Sequence, residues 1–141
     1  MRSIPWTTWR PLDTCVGEKL IPSGPGAYRI RCRGRVVRRA IDRDREGVLD
    51  IGKSVRLRTR LAAFFRCVTA KKARHGHMAG WRYREVGLHR RYPPERLEVC
   101  WCEARDGDEA LRLEAEALED YSRRHGELPP LNYGSNWVGR K

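Results

Sequence analysis

The sequence predicts a single α/β domain in which helices flank a small three-stranded sheet, mixed or antiparallel, with an irregular N-terminal extension before it. Three observations lead to this prediction. The chain has 141 residues, which suits one hydrophobic core. Three stretches have the apolar pattern of strands, at residues 26–32, 48–51 and 97–104. Two stretches, residues 55–69 and 109–124, carry apolar side chains at helical spacing.

We place the extension at residues 1–21 and the domain at residues 22–141. The first 25 residues contain Trp6, Trp9 and four prolines but little periodicity. Such a segment should be irregular and should pack its tryptophans onto the domain. The first strand then places three alternate side chains on one face: Tyr28, Ile30 and Cys32.

The second strand leads directly into the first long helix. Val48–Ile51 is a short apolar run, Gly52 interrupts it, and Ser54 is a favourable N-cap for a helix that begins at Val55. The helix should end between residues 69 and 73. Its predicted buried stripe is Leu57, Leu61, Phe64 and Val68. A strand end that feeds a helix N-terminus can bind an anionic group, because free backbone amides point at it.

The last helix carries a carboxylate on its apolar side. The turn Asp106-Gly107-Asp108 should cap its N-terminus and Gly126 should end it. Glu114 lies on the predicted buried side, whereas Glu116 lies on the solvated side. A buried carboxylate must be paired, protonated or bound to a cation, so Glu114 is either a Mg²⁺ ligand or an ion-pair partner of Arg60. The predicted stripe consists of Leu111, Ala115 and Leu118, with Tyr121 at its edge.

The charge is strongly positive and unevenly placed. The net charge is +12. The segment from Lys53 to Arg96 contains thirteen basic residues and only two acidic ones, a local excess of +11. A basic face on a balanced domain suits a phosphate backbone, although a general preference for arginine would also make solvated faces basic. We expect Trp81 to be core rather than a base-stacking residue. The predicted nucleic-acid contacts are Arg56, Arg58, Lys71, Lys72, Arg74, His77 and Arg82.

The cysteine content and hydropathy indicate a cytoplasmic protein that does not bind membranes. The five cysteines form an odd set in a chain without a signal-peptide core, which predicts reduced thiols. No apolar run is long enough to span a bilayer. Cys100 and Cys102 with His75 and His77 would give four zinc ligands, but the spacing matches no common zinc module. Buried strand cysteines are the simpler interpretation.

Two short motifs carry a family resemblance. Gly26-Ala27-Tyr28 and Asp50-Ile51-Gly52, followed by Arg60, Glu114 and Asn132, resemble the signature of the GIY-YIG nuclease family over residues 22 to 134. The resemblance implies a small sheet flanked by helices and a divalent-metal-dependent DNA endonuclease using Mg²⁺ or Mn²⁺.

The resemblance also implies a role for each site residue. Glu114 would hold the metal, and Arg60 would stabilise the phosphate in the transition state. Tyr28 would activate or position the attacking water, with Lys53, in the turn after the second strand, as a second candidate base or phosphate contact. Asn132 would steady the site or the DNA backbone.

Asp50 stands where the family has a tyrosine, and Phe64 stands where it has a histidine or tyrosine. Strand alternation places Asp50 on the face of Val48, opposite Leu49 and Ile51. Asp50 could pair with a nearby base, either Lys53 or Arg60, or join Glu114 as a metal ligand.

The predicted function is hydrolysis of phosphodiester bonds in double-stranded DNA by a monomer or homodimer. The alternatives keep the fold without this reaction. One is a DNA-binding protein that has lost cleavage, and the other is an enzyme that acts on a small molecule with Asp50 as a new acid or base.

Overall fold

The computed structural model describes residues 3–70 and 78–132, except for the side chain of Met78. In chain order the elements are β1 (Arg10–Pro11), α1 (Leu12–Gly17), β2 (Gly26–Cys32), β3 (Val37–Arg38), β4 (Arg43–Asp44), β5 (Val48–Ser54), α2 (Leu57–Thr69), α3 (Met78–Glu85), α4 (Leu88–Arg91), a 3-10 helix (Pro94–Arg96), β6 (Leu97–Glu103) and α5 (Gly107–His125). The architecture is α/β, as the sequence predicts.

The main sheet is antiparallel throughout and has the strand order β1-β6-β2-β5, so β6 and β2 are its inner strands. The three predicted strands are present as β2, β5 and β6. The prediction of only three strands was wrong, because β1 pairs with β6 through Arg10 opposite Val99. Two residues are too few to show an alternating pattern, and β1 is therefore visible only through its pairing. A separate pair, β3 with β4, forms a small second sheet.

The core has two parts on the main sheet. The larger part packs the predicted stripe of α2 against β2, with Leu57, Leu61, Phe64 and Val68 all buried. The smaller part joins β5 to α5 through Val48, Ile51, Ala117, Leu118 and Tyr121.

A bulge opposite Ile30 and Arg31 interrupts the alternation of β5. Asp50 pairs with Ile30 and Val48 pairs with Arg31, so Asp50 and Val48 lie on opposite faces. The predicted shared face of these two residues was wrong, because the extra residue, Leu49, inverts the register and itself enters the larger core.

The junction between β5 and α2 also differs from the sequence prediction. Pairing with Gly26 and Ala27 extends β5 to Ser54, so Lys53 lies in the strand rather than in a turn. Helix α2 begins at Leu57 after the N-cap Arg56. The hydroxyl of Ser54 accepts a hydrogen bond from the Arg56 amide at 2.9 Å, which shapes the turn before the helix instead of capping it.

Helix α5 has the predicted capping residues but begins two residues earlier than predicted and buries a different face. Asp106 accepts a hydrogen bond from the Glu109 amide at 2.9 Å, and Gly126 ends the helix with φ 74°. Leu111 is 44% exposed and Ala115 is also exposed, so this part of the predicted stripe was wrong. The face toward the sheet carries small side chains that hydropathy alone did not single out. Its buried residues are Ala110, Glu114, Ala117, Leu118 and Tyr121.

The N-terminal segment packs its tryptophans on the domain, as expected. Trp6 and Trp9 lie against the smaller core, and the Arg29 guanidinium is 4.6 Å and 4.8 Å from their rings. The segment is less irregular than predicted, since it forms β1 and α1 and buries Leu12 and Cys15. None of the helices in the described residues is long and apolar enough to cross a membrane.

Candidate functional site

Five polar side chains from five elements form one cluster beside β5. The cluster consists of Tyr28 from β2, Asp50 from β5, Arg60 from α2, Arg82 from α3 and Glu114 from α5. We refer to these five residues as the polar cluster. Four of its members are buried, and Arg60 is half-buried. The predicted catalytic residues Tyr28, Asp50, Arg60 and Glu114 therefore come together, although they are up to 86 positions apart in the sequence.

The glycine of the second motif makes room for the tyrosine of the first. Tyr28 pairs with Gly52 across the two strands, and its ring lies over the glycine backbone. A Cβ at position 52 would lie 2.8 Å from Tyr28 Cε2 and closer still to the hydroxyl. The absence of a side chain at Gly52 thus determines where the Tyr28 hydroxyl sits.

Asp50 is 3% exposed, and its Oδ2 is buried without a hydrogen-bond partner among the described residues. Burial raises the pKa of this carboxyl to about 7. The Arg60 guanidinium acts in the opposite direction, Glu114 raises the pKa further, and Arg82 lowers it. Asp50 is therefore partly protonated near neutral pH.

Arg60 makes contact with Tyr28 but leaves one donor unused. Its side chain is hydrogen-bonded to Tyr28, while its Nε is buried with no hydrogen-bond partner in residues 3–70 and 78–132. Asp50 Oδ2 and Arg60 Nε are one acceptor and one donor in the same cluster, and we call them the two open atoms. Burial, and to a lesser degree Asp50, raises the pKa of the Tyr28 hydroxyl well above its ordinary value, so Tyr28 keeps its proton at neutral pH.

Arg82 belongs to the cluster and not to the surface, which corrects its predicted role as a nucleic-acid contact. It is 7% exposed, and its Nη1 donates a hydrogen bond to the Leu131 carbonyl at 2.7 Å. Trp81 is 39% exposed, so its predicted core position was wrong. The close crossing of α2 and α3 explains this orientation, because a Cβ on Gly80 would lie 2.6 Å from Cys67 Cβ. The sequence offered no signal for Arg82 beyond its place in the basic stretch.

Asn132 binds the strand that carries Asp50. Its Oδ1 accepts a hydrogen bond from the Ile51 amide and its Nδ2 donates one to the Ile51 carbonyl, both at 2.7 Å. The Leu131 amide donates to the Leu49 carbonyl at 2.9 Å. Residues 131 and 132 therefore close the outer edge of β5 and fix the backbone on both sides of Asp50.

The other predicted site residues lie on the surface or outside the described residues. Lys53, Arg56 and Arg58 are exposed. Arg58 also holds the N-terminal segment, since its Nε donates to the Ile21 carbonyl at 2.8 Å. The residues outside the described ranges are Lys71, Lys72, Arg74, His75 and His77.

The polar cluster contains carboxylates of the type that Mg²⁺ binds, whereas the cysteines form no zinc site among the described residues. Within the described residues no group of three or more His, Cys, Asp or Glu side chains is placed to hold a metal, and the cysteines there are free and buried. Mg²⁺ needs only one or two carboxylates, because it retains waters and binds substrate phosphates. Glu114 and Asp50 supply two hard oxygen donors, one of which is an open atom.

Comparison with known proteins assigns no family to the chain. A scan against protein-family profiles, a search of curated proteins and a search of solved structures each found no match. The polar cluster and the two short motifs are therefore the features of the chain that bear on its function.

Proposed function

We propose that the chain is a divalent-metal-dependent endonuclease that hydrolyses DNA phosphodiester bonds at the polar cluster. The observation that carries the proposal is the open donor of Arg60 beside two buried carboxylates and Tyr28. A buried donor without a partner costs about 1–3 kcal/mol. A phosphoryl oxygen would remove this cost and would use the positive charge of Arg60.

Each residue has a defined task in this reaction. Hydrolysis joins the oxygen of water to phosphorus and breaks one phosphorus–oxygen ester bond, and the water proton passes to solvent or to the leaving oxygen. Arg60 would bind the phosphoryl oxygen on which negative charge develops. Tyr28 keeps its proton, so its task is to orient the water or the phosphate rather than to act as a base. Lys53 remains a candidate base or phosphate contact from the exposed side of β5.

Glu114 would hold the metal ion. It is 6% exposed and lies among the arginines and Asp50, where a carboxylate has little water to stabilise its charge. A bound Mg²⁺ or Mn²⁺ would polarise a phosphoryl oxygen and favour an ionised water.

Exposed cations at the β5–α2 junction support DNA as the substrate. Lys53, Arg56 and Arg58 are exposed there, on or next to the two elements that carry Asp50 and Arg60. Contacts between such side chains and phosphates release counterions, so binding should weaken steeply with salt. Double-stranded DNA is the form that we propose.

The burial of the cluster favours a second candidate. Tyr28, Asp50 and Glu114 are each at most 6% exposed, which suits a small ligand better than a duplex backbone. The second candidate is therefore an enzyme for a small phosphate-containing molecule with Asp50 as acid or base. Its ligand binding should have a shallow dependence on salt.

The decisive experiment is nicking of supercoiled plasmid in Mg²⁺ or Mn²⁺, comparing Glu114→Gln with Glu116→Gln. Both lie on α5, but Glu114 is buried in the cluster and Glu116 is exposed. We expect Glu114→Gln to lower the nicking rate at least about 100-fold, the usual effect of removing an electrostatic catalytic group. Glu116→Gln should stay within about twofold of the wild type.

A second pair separates the arginines of α2. Arg60→Gln should lower the nicking rate by about two orders of magnitude, whereas Arg66→Gln, at an exposed position, should not. The absence of nicking by the wild-type chain with either metal, or equal rates in wild type and Glu114→Gln, would overturn the proposal.

A further inference from the structure

Asp50 and Asp44 are both buried, but they differ in the hydrogen bonds that their carboxylate oxygens accept. The Asp44 carboxylate accepts four hydrogen bonds, to Oδ1 from the amides of Glu46 (2.9 Å) and Gly47 (3.2 Å), and to Oδ2 from the Val48 amide (2.9 Å) and the Tyr121 hydroxyl (2.8 Å). Asp50 Oδ2 has no such donor within the described part of the chain. A carboxylate oxygen that is at least nine-tenths buried in this way is a place for a ligand.

The neighbouring arginines do not supply the missing hydrogen-bond partner of Asp50 Oδ2. Arg82 is turned toward the Leu131 carbonyl through Nη1. Arg60 contributes the second open atom, its Nε, so the donor and the acceptor are both left over in the described structure. An occupant that satisfies both must offer a hydrogen-bond donor or a cation to Asp50 and an acceptor oxygen to Arg60. A hydrated divalent ion that carries a phosphate oxygen has both.

We propose that Asp50 and Glu114 together hold the divalent ion, as a carboxylate pair contributed by β5 and α5. This inference rests on the proposed function and goes further, since the motif resemblance implied Glu114 as the metal ligand. The residue that replaces the motif tyrosine would thus bring a second negative charge to the ion. Because Asp50 and Glu114 are balanced by Arg60 and Arg82, the ion should bind more tightly when a phosphate is present.

Metal binding can be measured without any reaction. We would titrate the full chain with Mn²⁺ at pH 8 and follow free Mn²⁺ by electron paramagnetic resonance, with and without inorganic phosphate. The wild type should bind one Mn²⁺ per chain, more tightly when phosphate is added. Asp50→Asn and Glu114→Gln should each weaken binding at least about tenfold, a difference of about 1.4 kcal/mol.

Two controls keep the result interpretable. Glu116→Gln removes an exposed carboxylate from the same helix and should bind Mn²⁺ like the wild type. Thermal unfolding should be cooperative for every variant, and at the same Mn²⁺ concentration the unfolding temperature should rise less for Asp50→Asn than for the wild type.

The outcomes separate this inference from the proposed function. Unchanged Mn²⁺ binding by Asp50→Asn, with binding lost in Glu114→Gln, would overturn the carboxylate pair but leave a nuclease with a single metal ligand. Absence of Mn²⁺ binding by the wild type would overturn the pair, and plasmid nicking would then decide separately whether the chain cleaves DNA. Weakened binding in both variants would establish the pair even if no nicking is seen.

Discussion

Replacing Asp50 by asparagine should stabilise the metal-free protein at alkaline pH. The substitution keeps the shape of the side chain and removes a charge that is 3% exposed. The charged and titratable groups that face it are Tyr28 from β2, Arg60 from α2, Arg82 from α3 and Glu114 from α5. Because burial and Glu114 outweigh the two arginines, the folded state prefers a neutral group at this position.

The sign and size of the effect follow from the pKa. The carboxyl of Asp50 has an ordinary value of 3.8, which burial raises to about 7 in the folded state. Between these values the folded protein holds a proton that the unfolded chain has lost, so stability falls as the pH rises from about 4 to about 7. One pKa unit corresponds to about 1.4 kcal/mol, which gives a limit of about 4 kcal/mol above pH 7.

Part of this gain in the free energy of unfolding is offset, because Asp50→Asn removes one of the two cluster carboxylates that balance Arg60 and Arg82. Glu114 is the one that remains. We therefore expect a net gain of about 1–4 kcal/mol at pH 8 and little gain near pH 4. Urea unfolding followed by tryptophan fluorescence in EDTA at pH 5 and pH 8 measures it. The difference between variant and wild type should grow by about 2–3 kcal/mol between the two pH values, which removes any constant packing effect.

Asp44→Asn is the matched control. Its carboxylate is also buried, but both oxygens accept hydrogen bonds, and an amide group would place donors against donors. We expect a loss of about 2–4 kcal/mol from groups left unsatisfied. The prediction would be refuted if Asp50→Asn and Asp44→Asn changed the free energy of unfolding in the same direction, or if Asp50→Asn were less stable than the wild type at pH 8. Asp50 would then be an ionised partner of the arginines.

Two further predictions concern how the cluster is positioned. Gly52→Ala should destabilise the fold and lower the nicking rate, because the added Cβ would collide with the Tyr28 ring. Gly24→Ala is the control and should do neither, because a Cβ at position 24 would have no neighbour within 4 Å. Thermal unfolding measures the stability of both variants, and plasmid nicking measures their activity. Similar unfolding temperatures for the two variants would contradict the role assigned to Gly52. Asn132→Ala should cost about 2–3 kcal/mol, through two lost hydrogen bonds to Ile51, and should speed hydrogen exchange at the Ile51 amide. Unchanged exchange there would show that Asn132 does not hold β5.

Local sequence pattern was sufficient for the three long strands, the two long helices and the inward position of one candidate site residue. The stripe of α2, the caps Asp106 and Gly126, and the inward position of Glu114 each follow from residues a few positions apart. These signals can be read without the tertiary structure, because helix periodicity and capping are properties of a short segment and do not depend on what it packs against. The motifs also predicted that Tyr28, Asp50, Arg60 and Glu114 belong together.

Only the tertiary structure decided which polar groups complete the cluster. Whether Arg82 or Trp81 turns inward depends on the approach of α3 to α2 at Gly80 and on the buried carboxylates of the polar cluster. The sequence of the basic stretch contains neither piece of information. The length of β5 and the bulge beside Asp50 depend on the hydrogen bonds that β2 offers. These features are set by pairing and burial between distant segments, and a pattern confined to one segment carries no record of its partner.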